Sequence, residues 1–135
     1  LGYDDVWNIA QKGFTVGGHT LNHSHLGKLR DAALARNEIV ADKERLEKIT
    51  CKKIEYFAYP SGAYQNPAID LVDVLKESGY KGAVTTVAGF NRAGVDPYLM
   101  HRELTQASMM GRVFRARVYG NSDAVRFIKE RILKA

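Results

Sequence analysis

Cysteine is nearly absent from this 135-residue sequence, which contains only Cys51. One cysteine excludes an internal disulfide and a cysteine-rich zinc site, although it leaves the redox compartment open. No apolar run approaches the roughly 18 residues that a membrane-spanning helix needs, and no repeat, low-complexity tract or long linker divides the chain. We therefore expect a single domain over residues 1–135 without a membrane span.

The sequence also lacks a long segment in which charges of one sign are concentrated. The net charge is +5, but lysine and arginine are interleaved with aspartate and glutamate. The densest basic cluster, Arg112, Arg115 and Arg117, lies among apolar residues and is interpreted as a solvated helix face, with an anionic-ligand patch as the alternative. The pattern predicts no nucleic-acid partner.

Helix and strand signals alternate along the chain. They predict a short helix over 3–12, a strand over 14–16, a long helix over 31–50 capped by Asp31, strands over 54–59 and 82–87, a helix opened by Asn66 and Pro67, and an extended segment over 98–104. Ser108 and Ser122 are predicted caps of two closing helices. This alternation favours an α/β fold with largely parallel strands. So few strands leave exposed sheet edges, which indicates a missing piece or a partner chain.

Two histidines after a glycine pair are the clearest candidates for chemistry. His19 and His23 lie in a stretch rich in Thr, Asn and Ser that does not favour a helix. The spacing alone is a weak signal, but we predict a strand-end loop that directs both imidazoles at one divalent metal, zinc first. His25 alternates with His23 and is expected to point elsewhere. Catalytic zinc generally has a third protein ligand. Asp4 and Asp5 are carboxylates, but capping of a helix explains them better.

Two further segments suggest a site beside the histidines. Tyr59, Pro60, Ser61 and Gly62 form a tight turn after a predicted strand, and such a turn can present N–H groups to a developing oxyanion. It can equally be an ordinary turn with buried aromatics. Arg102 lies in a polar part of an extended segment, where it would hold a catalytic acid or form a surface salt bridge with Glu103 or another acid.

Together these segments resemble the motifs of the polysaccharide deacetylases, a family of carbohydrate esterases. The similar segments are residues 17–26 for the H-[ST]-x-x-H metal motif, 57–64 for the FAYPYGxY motif, 79–83 for the aGY step and 99–102 for the LpR segment. The resemblance runs from Tyr3 to about Val118 and covers the C-terminal two-thirds of such a domain. The branch it resembles most acts on poly-N-acetylglucosamine.

This resemblance implies a partial or distorted (β/α) barrel whose N-terminal strands are missing. It implies metal-dependent removal of N-acetyl groups from an N-acetylglucosamine-containing polysaccharide, outside the cytoplasm. It makes His19 and His23 metal ligands, with zinc as the expected ion, and makes the turn at Tyr59–Gly62 a substrate-groove wall. Arg102 becomes the residue that orients the catalytic acidic group.

The sequence departs from the family pattern in ways that bear on activity. The TFDDG motif, which supplies the base and the acidic ligand, is absent from the sequence, as is the upstream general-acid histidine. Ser61 replaces an aromatic residue of the second motif. We therefore expect a chain that is inactive or incomplete alone. The alternatives are a non-catalytic carbohydrate- or metal-binding remnant, or a self-associating protein whose homo-oligomer completes the fold.

Overall fold

A computed structural model describes residues 2–62, 64–105 and 111–120, and it has a mixed α/β architecture. Its helices are α1 (Tyr3–Gln11), α2 (Ala32–Thr50), α3 (Leu71–Glu77) and α4 (Gly111–Val118), and its strands are β1 (Tyr56–Ala58) and β2 (Gly82–Val84). Short 3-10 turns occupy Leu26–Lys28 and Pro60–Gly62. No helix in the described ranges is long and apolar enough to cross a membrane.

The long helix α2 begins and ends where local chemistry dictates. The Asp31 side chain accepts hydrogen bonds from the N–H groups of Ala33 and Leu34, which satisfies two donors that the first helical turn leaves open. Cys51, with φ of 55°, leaves the helical conformation and ends it. The buried face of α2 includes two carboxylates, Glu38 and Asp42. Buried carboxylates are rare unless they have partners, so this face must do more than pack against the core.

The sheet is parallel, and its segments are adjacent in space in the same order as in the sequence. β1 pairs with β2 in the register Tyr56↔Gly82 to Ala58↔Val84. Single parallel bridges extend the sheet on both sides, Gly18↔Phe57 on one and Val84↔Met100 on the other. Because all four segments run the same way, the residues that follow them emerge at one edge. Parallel α/β sheets place their binding sites at this carboxyl edge.

Aromatic residues fill the core between the sheet and the helices. Phe57 lies in an edge-to-face arrangement with Tyr59 on one side and Tyr80 on the other, with ring centroids 5.4 and 5.5 Å apart. The Tyr59 and Tyr80 hydroxyls are buried and have no hydrogen-bond partner among the described residues. Burial raises the pKa of both phenols, so both stay neutral. The apolar residues packed around these rings are Leu26, Ala35, Ile39, Ile54, Leu71, Val74, Leu75 and Ala83.

Several predicted elements are shorter than expected. The strand predicted over 14–16 is wrong: pairing starts only at Gly18, as a single bridge. The strands predicted over 54–59 and 82–87 shorten to β1 and β2, and the predicted 98–104 segment contributes one bridge, at Met100. Pairing covers three residues between β1 and β2 and single residues at Gly18 and Met100, and only paired residues belong to a strand. Ser108 and Ser122 lie outside the described residues.

The helix expected at Asn66 and Pro67 begins later, at Leu71. Asp70 is its N-cap and accepts from the N–H groups of Val72 and Asp73. The Asn66 Oδ1 accepts from the Ala68 N–H at 2.7 Å without opening a helix, and its Nδ2 donates to the carbonyls of Leu26 and Leu29, at 2.5 and 2.7 Å. Asn66, which the sequence predicted to begin a helix, therefore makes a tertiary contact with Leu26 and Leu29.

Candidate metal-binding site

His19 is positioned by the bridge that precedes it. Gly18 donates to the Tyr56 carbonyl and accepts from the Ala58 N–H, each at 2.9 Å. The next side chain, His19, places its Nδ1 2.6 Å from the Ala58 carbonyl oxygen. A carbonyl oxygen only accepts, so Nδ1 carries the proton and Nε2 keeps its lone pair. This is the tautomer in which a neutral imidazole binds a metal through Nε2.

The loop folds back so that His23 lies beside His19, and two of its residues have left-handed backbone angles. Thr20 and His23 have φ values of 66° and 56°, a region that β-branched and bulky residues seldom enter. The ring centroids of His19 and His23 lie 4.8 Å apart with the planes at 70°. The spacing of four residues therefore brings the imidazoles together without a helix, as the curled-loop interpretation predicts.

Helix α2 supports this loop with its two buried carboxylates. Glu38 accepts from the backbone and side-chain nitrogens of Asn22, and Asp42 accepts from the His19 N–H. Burial raises the pKa of Glu38, but hydrogen bonds from Asn22, Ser24 and Leu21 together outweigh it, so its pKa lies below the usual value. Burial dominates for Asp42, whose pKa is raised although the His19 N–H opposes the shift. The sequence interpretation missed both residues, although their helical spacing with Ala35 and Ile39 was a usable signal.

The described residues do not complete a three-ligand site. No group of three His, Cys, Asp or Glu side chains within them is arranged to hold a metal. Asp4 and Asp5 lie in the first turn of α1, where an Asp5 oxygen accepts from the Gly2 N–H at 2.8 Å. His25 buries its Nδ1 without a hydrogen-bond partner in the described ranges. The described residues therefore offer the His19 and His23 imidazoles as candidate ligands, and a third ligand would have to come from another group.

The turn after β1 exposes only half of its predicted contact residues. Tyr59 and Pro60 are buried, whereas Ser61 is exposed and Gly62 is half-buried. Tyr59 donates its N–H to the Val84 carbonyl, and Gly62 donates to the Tyr59 carbonyl, both at 3.0 Å. Tyr59 and Pro60 therefore shape the turn from within the core, and side-chain contact with a substrate would come from Ser61.

Ser61 has a backbone conformation that favours glycine, with φ of 54° and ψ of 14°. We expect Ser61→Gly to raise the free energy of unfolding by about 0.5–1 kcal/mol, because glycine has no Cβ to oppose this conformation. Ser61→Ala is the matched control, since it removes the hydroxyl and keeps the strain. Urea unfolding of the three proteins measures both effects. Equal gains from Gly and Ala would show that the backbone of Ser61 is unstrained.

Arg102 lies at the same carboxyl edge as the histidines. Its N–H donates to the Val87 carbonyl at 2.9 Å, and its side chain is exposed. The neighbouring His101 is held by Asn91, which both accepts from its N–H and donates to its carbonyl. Within the described residues Arg102 forms no ion pair, with Glu103 or any other acid. Its predicted role toward a catalytic acid therefore stays a prediction.

An apolar groove of about 390 Å³ covers the open face of the sheet next to His19. Its lining consists of Thr15, Gly17, Gly18, His19, Tyr56, Phe57, Ala58, Gly82, Ala83, Val84 and Met100. The polar side chains in this lining are those of Thr15, His19 and Tyr56, so the groove is mostly apolar.

The fold and the site together define a parallel α/β protein with a histidine pair at the carboxyl edge of its strands. The sequence pattern of the polysaccharide deacetylase family matches residues 3–83, which is more than half of the chain. The chain therefore belongs to the polysaccharide deacetylase family. Among curated proteins, none matches it at a significant level.

Solved structures show the same fold. A Streptococcus pyogenes deacetylase, PplD, in complex with acetate is 23% identical with a TM-score of 0.77, and the match covers 87% of this chain and 50% of that protein. The polysaccharide deacetylase BC0361 of Bacillus cereus is 27% identical with a TM-score of 0.74, over 87% of this chain and 36% of that protein. The chain thus spans half or less of the length of these neighbours.

Proposed function

We propose that this chain is the part of a metal-dependent polysaccharide deacetylase that holds two histidine ligands of the catalytic ion. The observation that supports this most is the His19–His23 pair, with ring centroids 4.8 Å apart and Nδ1 of His19 committed to the Ala58 carbonyl. Membership of the polysaccharide deacetylase family suggests deacetylation as the reaction in which the pair would take part. The proposed substrate is an N-acetylglucosamine-containing polysaccharide outside the cytoplasm, and the proposed ion is zinc.

Metal-dependent deacetylation suggests a role for each candidate residue at the carboxyl edge of the sheet. When bound, a divalent ion supplies polarisation of an acetyl carbonyl and activation of water. His19 would bind through Nε2, and His23 would approach the same point from the other side. Gly62 already donates its N–H to the Tyr59 carbonyl, so oxyanion support from Tyr59–Gly62 would have to come from another group of that turn. Arg102, exposed and unpaired among the described residues, would orient an acid supplied from elsewhere.

The rest of the site would come from outside this sequence. The acidic base and ligand of the family motif are not among its residues, and the apolar groove beside His19 is a sheet face that further strands would cover. We propose a partial (β/α) barrel, one domain in outline, completed by additional chain or by a second copy. The chain alone would then release little acetate from acetylated glucosamine oligomers, and rapid release would overturn this division of the site.

Zinc titration calorimetry tests the histidine pair directly. We expect wild-type chain to bind one zinc ion weakly, and His19→Ala or His23→Ala to lower the affinity by more than about 100-fold. The loss of a ligand should exceed the 10- to 100-fold effect of losing a ligand's hydrogen-bond partner. His25→Ala, in the same loop, is the matched control and should bind like wild type.

A second candidate is a non-catalytic carbohydrate- or metal-binding domain on the same scaffold. It is favoured by the missing third ligand among the described residues. Binding of acetylated glucosamine oligomers without acetate release, even when a segment carrying the TFDDG motif is supplied, would support it. Zinc affinity unchanged by His19→Ala would contradict both candidates as metal-binding proteins.

A further inference from the structure

Glu38 holds the middle of the histidine loop with both carboxylate oxygens. Its Oε2 accepts from the Asn22 N–H at 3.0 Å, and its Oε1 accepts from the Asn22 Nδ2 at 2.7 Å. Its own carbonyl accepts from the Leu21 N–H at 3.0 Å. Glu38 is only 3% exposed. One buried side chain thus fixes Asn22, which lies between the two histidines.

Asp42 holds the start of the same loop from one turn further along α2. Its Oδ2 accepts from the His19 N–H at 2.7 Å, and the residue is 8% exposed. A bond between a buried carboxylate and a backbone N–H is strong and directional. It fixes the His19 backbone, while the Ala58 carbonyl fixes its ring. Both ends of His19 are therefore anchored before any ligand arrives.

The loop needs such anchoring because its backbone is strained. Thr20 and His23 both have positive φ, at 66° and 56°, and such conformations persist only where surrounding contacts hold them. Without the α2 carboxylates, the loop would relax towards ordinary backbone angles and the imidazoles would separate. A chelating pair that must be ordered on binding loses affinity to that ordering.

We propose that Glu38 and Asp42 are positioning residues that hold His19 and His23 in the arrangement that binds the metal ion. This inference rests on the proposed function, and it extends the site from the loop to the buried face of α2. Neither carboxylate belongs to a three-ligand group with the histidines, so each acts through the loop and not as a ligand.

Alanine and conservative variants separate positioning from packing. Glu38→Ala and Asp42→Ala should each lower zinc affinity by about 10- to 100-fold in titration calorimetry. Glu38→Gln should recover most of the affinity, because the new amide keeps both bonds once the Asn22 amide turns over. Asp42→Asn should also recover it, since its oxygen still accepts from the His19 N–H. The matched control is Glu44→Ala, at an exposed position of the same helix.

Two further measurements distinguish a loosened loop from an unfolded protein. Melting temperature and amide exchange of His19 and Asn22, without zinc, report whether each variant is folded and whether the loop is loosened. Should Glu38→Ala not fold, Asn22→Ala at an exposed position removes one of the two bonds and should still lower the affinity. Faster exchange with lower affinity in a folded variant supports the positioning role.

The outcomes separate this inference from the proposed function. Wild-type chain that binds no zinc would overturn the metal site and the positioning role with it. Wild-type chain that binds zinc through His19, together with alanine variants at 38 and 42 that bind equally well, would overturn the positioning role alone. A lower melting temperature with unchanged zinc affinity would also overturn it, because the carboxylates would then serve packing only.

Discussion

Replacing Gly18 by alanine is expected to lower the free energy of unfolding by about 3 kcal/mol and to remove zinc binding. A Cβ here would overlap the Tyr80 hydroxyl oxygen and would lie 3.0 Å from both the Asp42 Oδ2 and the Phe57 Cδ2. Overpacking of a buried site costs about 1–3 kcal/mol, and three crowded contacts favour the upper end. Since Asp42 anchors His19, the displacement would also disorder the histidine loop.

Tyr80 provides the control for this prediction. Its hydroxyl is buried without a hydrogen-bond partner in the described part of the chain, so Tyr80→Phe alone should be neutral or stabilising by up to about 1 kcal/mol. In the double variant Gly18→Ala/Tyr80→Phe the tightest contact is gone, and part of the stability should return. Guanidinium unfolding of the four proteins gives the coupling.

Gly111→Ala is the second control, because a Cβ at Gly111 meets no atom within 4 Å and alanine favours a helix. It should leave stability unchanged or slightly higher. Additive effects of Gly18→Ala and Tyr80→Phe would mean that Tyr80 is not the source of the crowding at Gly18. Wild-type zinc affinity in folded Gly18→Ala would remove the proposed link between this glycine and the histidine loop.

Features with local causes could be predicted from the sequence. Asp31 caps α2 and Gly79 adopts the left-handed conformation after α3, with φ of 79°, since both depend on adjacent backbone. The curl that brings His19 to His23 was also predictable, because the glycine pair and the polar loop exclude a helix. Family motifs then supplied the identity of the fold.

Features that depend on distant residues could not be predicted. The ring of His19 is oriented by Ala58, 39 positions away, and Asn66 donates to Leu26, 40 positions away. Nothing near Asn66 predicts that contact, whereas its bond from the Ala68 N–H is local. The helical spacing of Glu38 indicated burial, but its contact with Asn22 follows from the position of the histidine loop against α2. Local sequence thus predicts the proximity of His19 and His23, whereas tertiary contacts decide how each ring is oriented and which side chains support the loop.

The second large effect is expected at Gly62, where alanine should lower the free energy of unfolding by about 4 kcal/mol. Two causes add: a φ of 69°, which costs a residue with a Cβ about 1–2 kcal/mol, and crowding, worth up to about 3 kcal/mol. The new Cβ would overlap the Thr86 hydroxyl oxygen and lie 2.8 Å from the Thr86 Cβ and backbone nitrogen.

Gly79→Ala separates the two causes at Gly62. Gly79 has a φ of 79°, and a Cβ at this position would meet no atom within 4 Å, so its substitution should cost only the backbone strain, about 1 kcal/mol. Thr86→Ala added to Gly62→Ala removes the hydroxyl contact but leaves the backbone nitrogen, so it should restore only part of the loss. Equal losses at Gly62 and Gly79 would show that the turn has room and that Thr86 does not confine it.

Zinc titration of the same variants distinguishes the two glycines by function. The Gly62 contacts lie at Thr86, whereas the Gly18 contacts include Asp42, which anchors His19. Folded Gly62→Ala should therefore bind zinc like wild type, while Gly18→Ala should not bind it even where the protein remains folded. Loss of zinc binding in both variants would mean that the turn and the histidine loop move as one unit, because the Ala58 carbonyl that orients His19 directly precedes that turn.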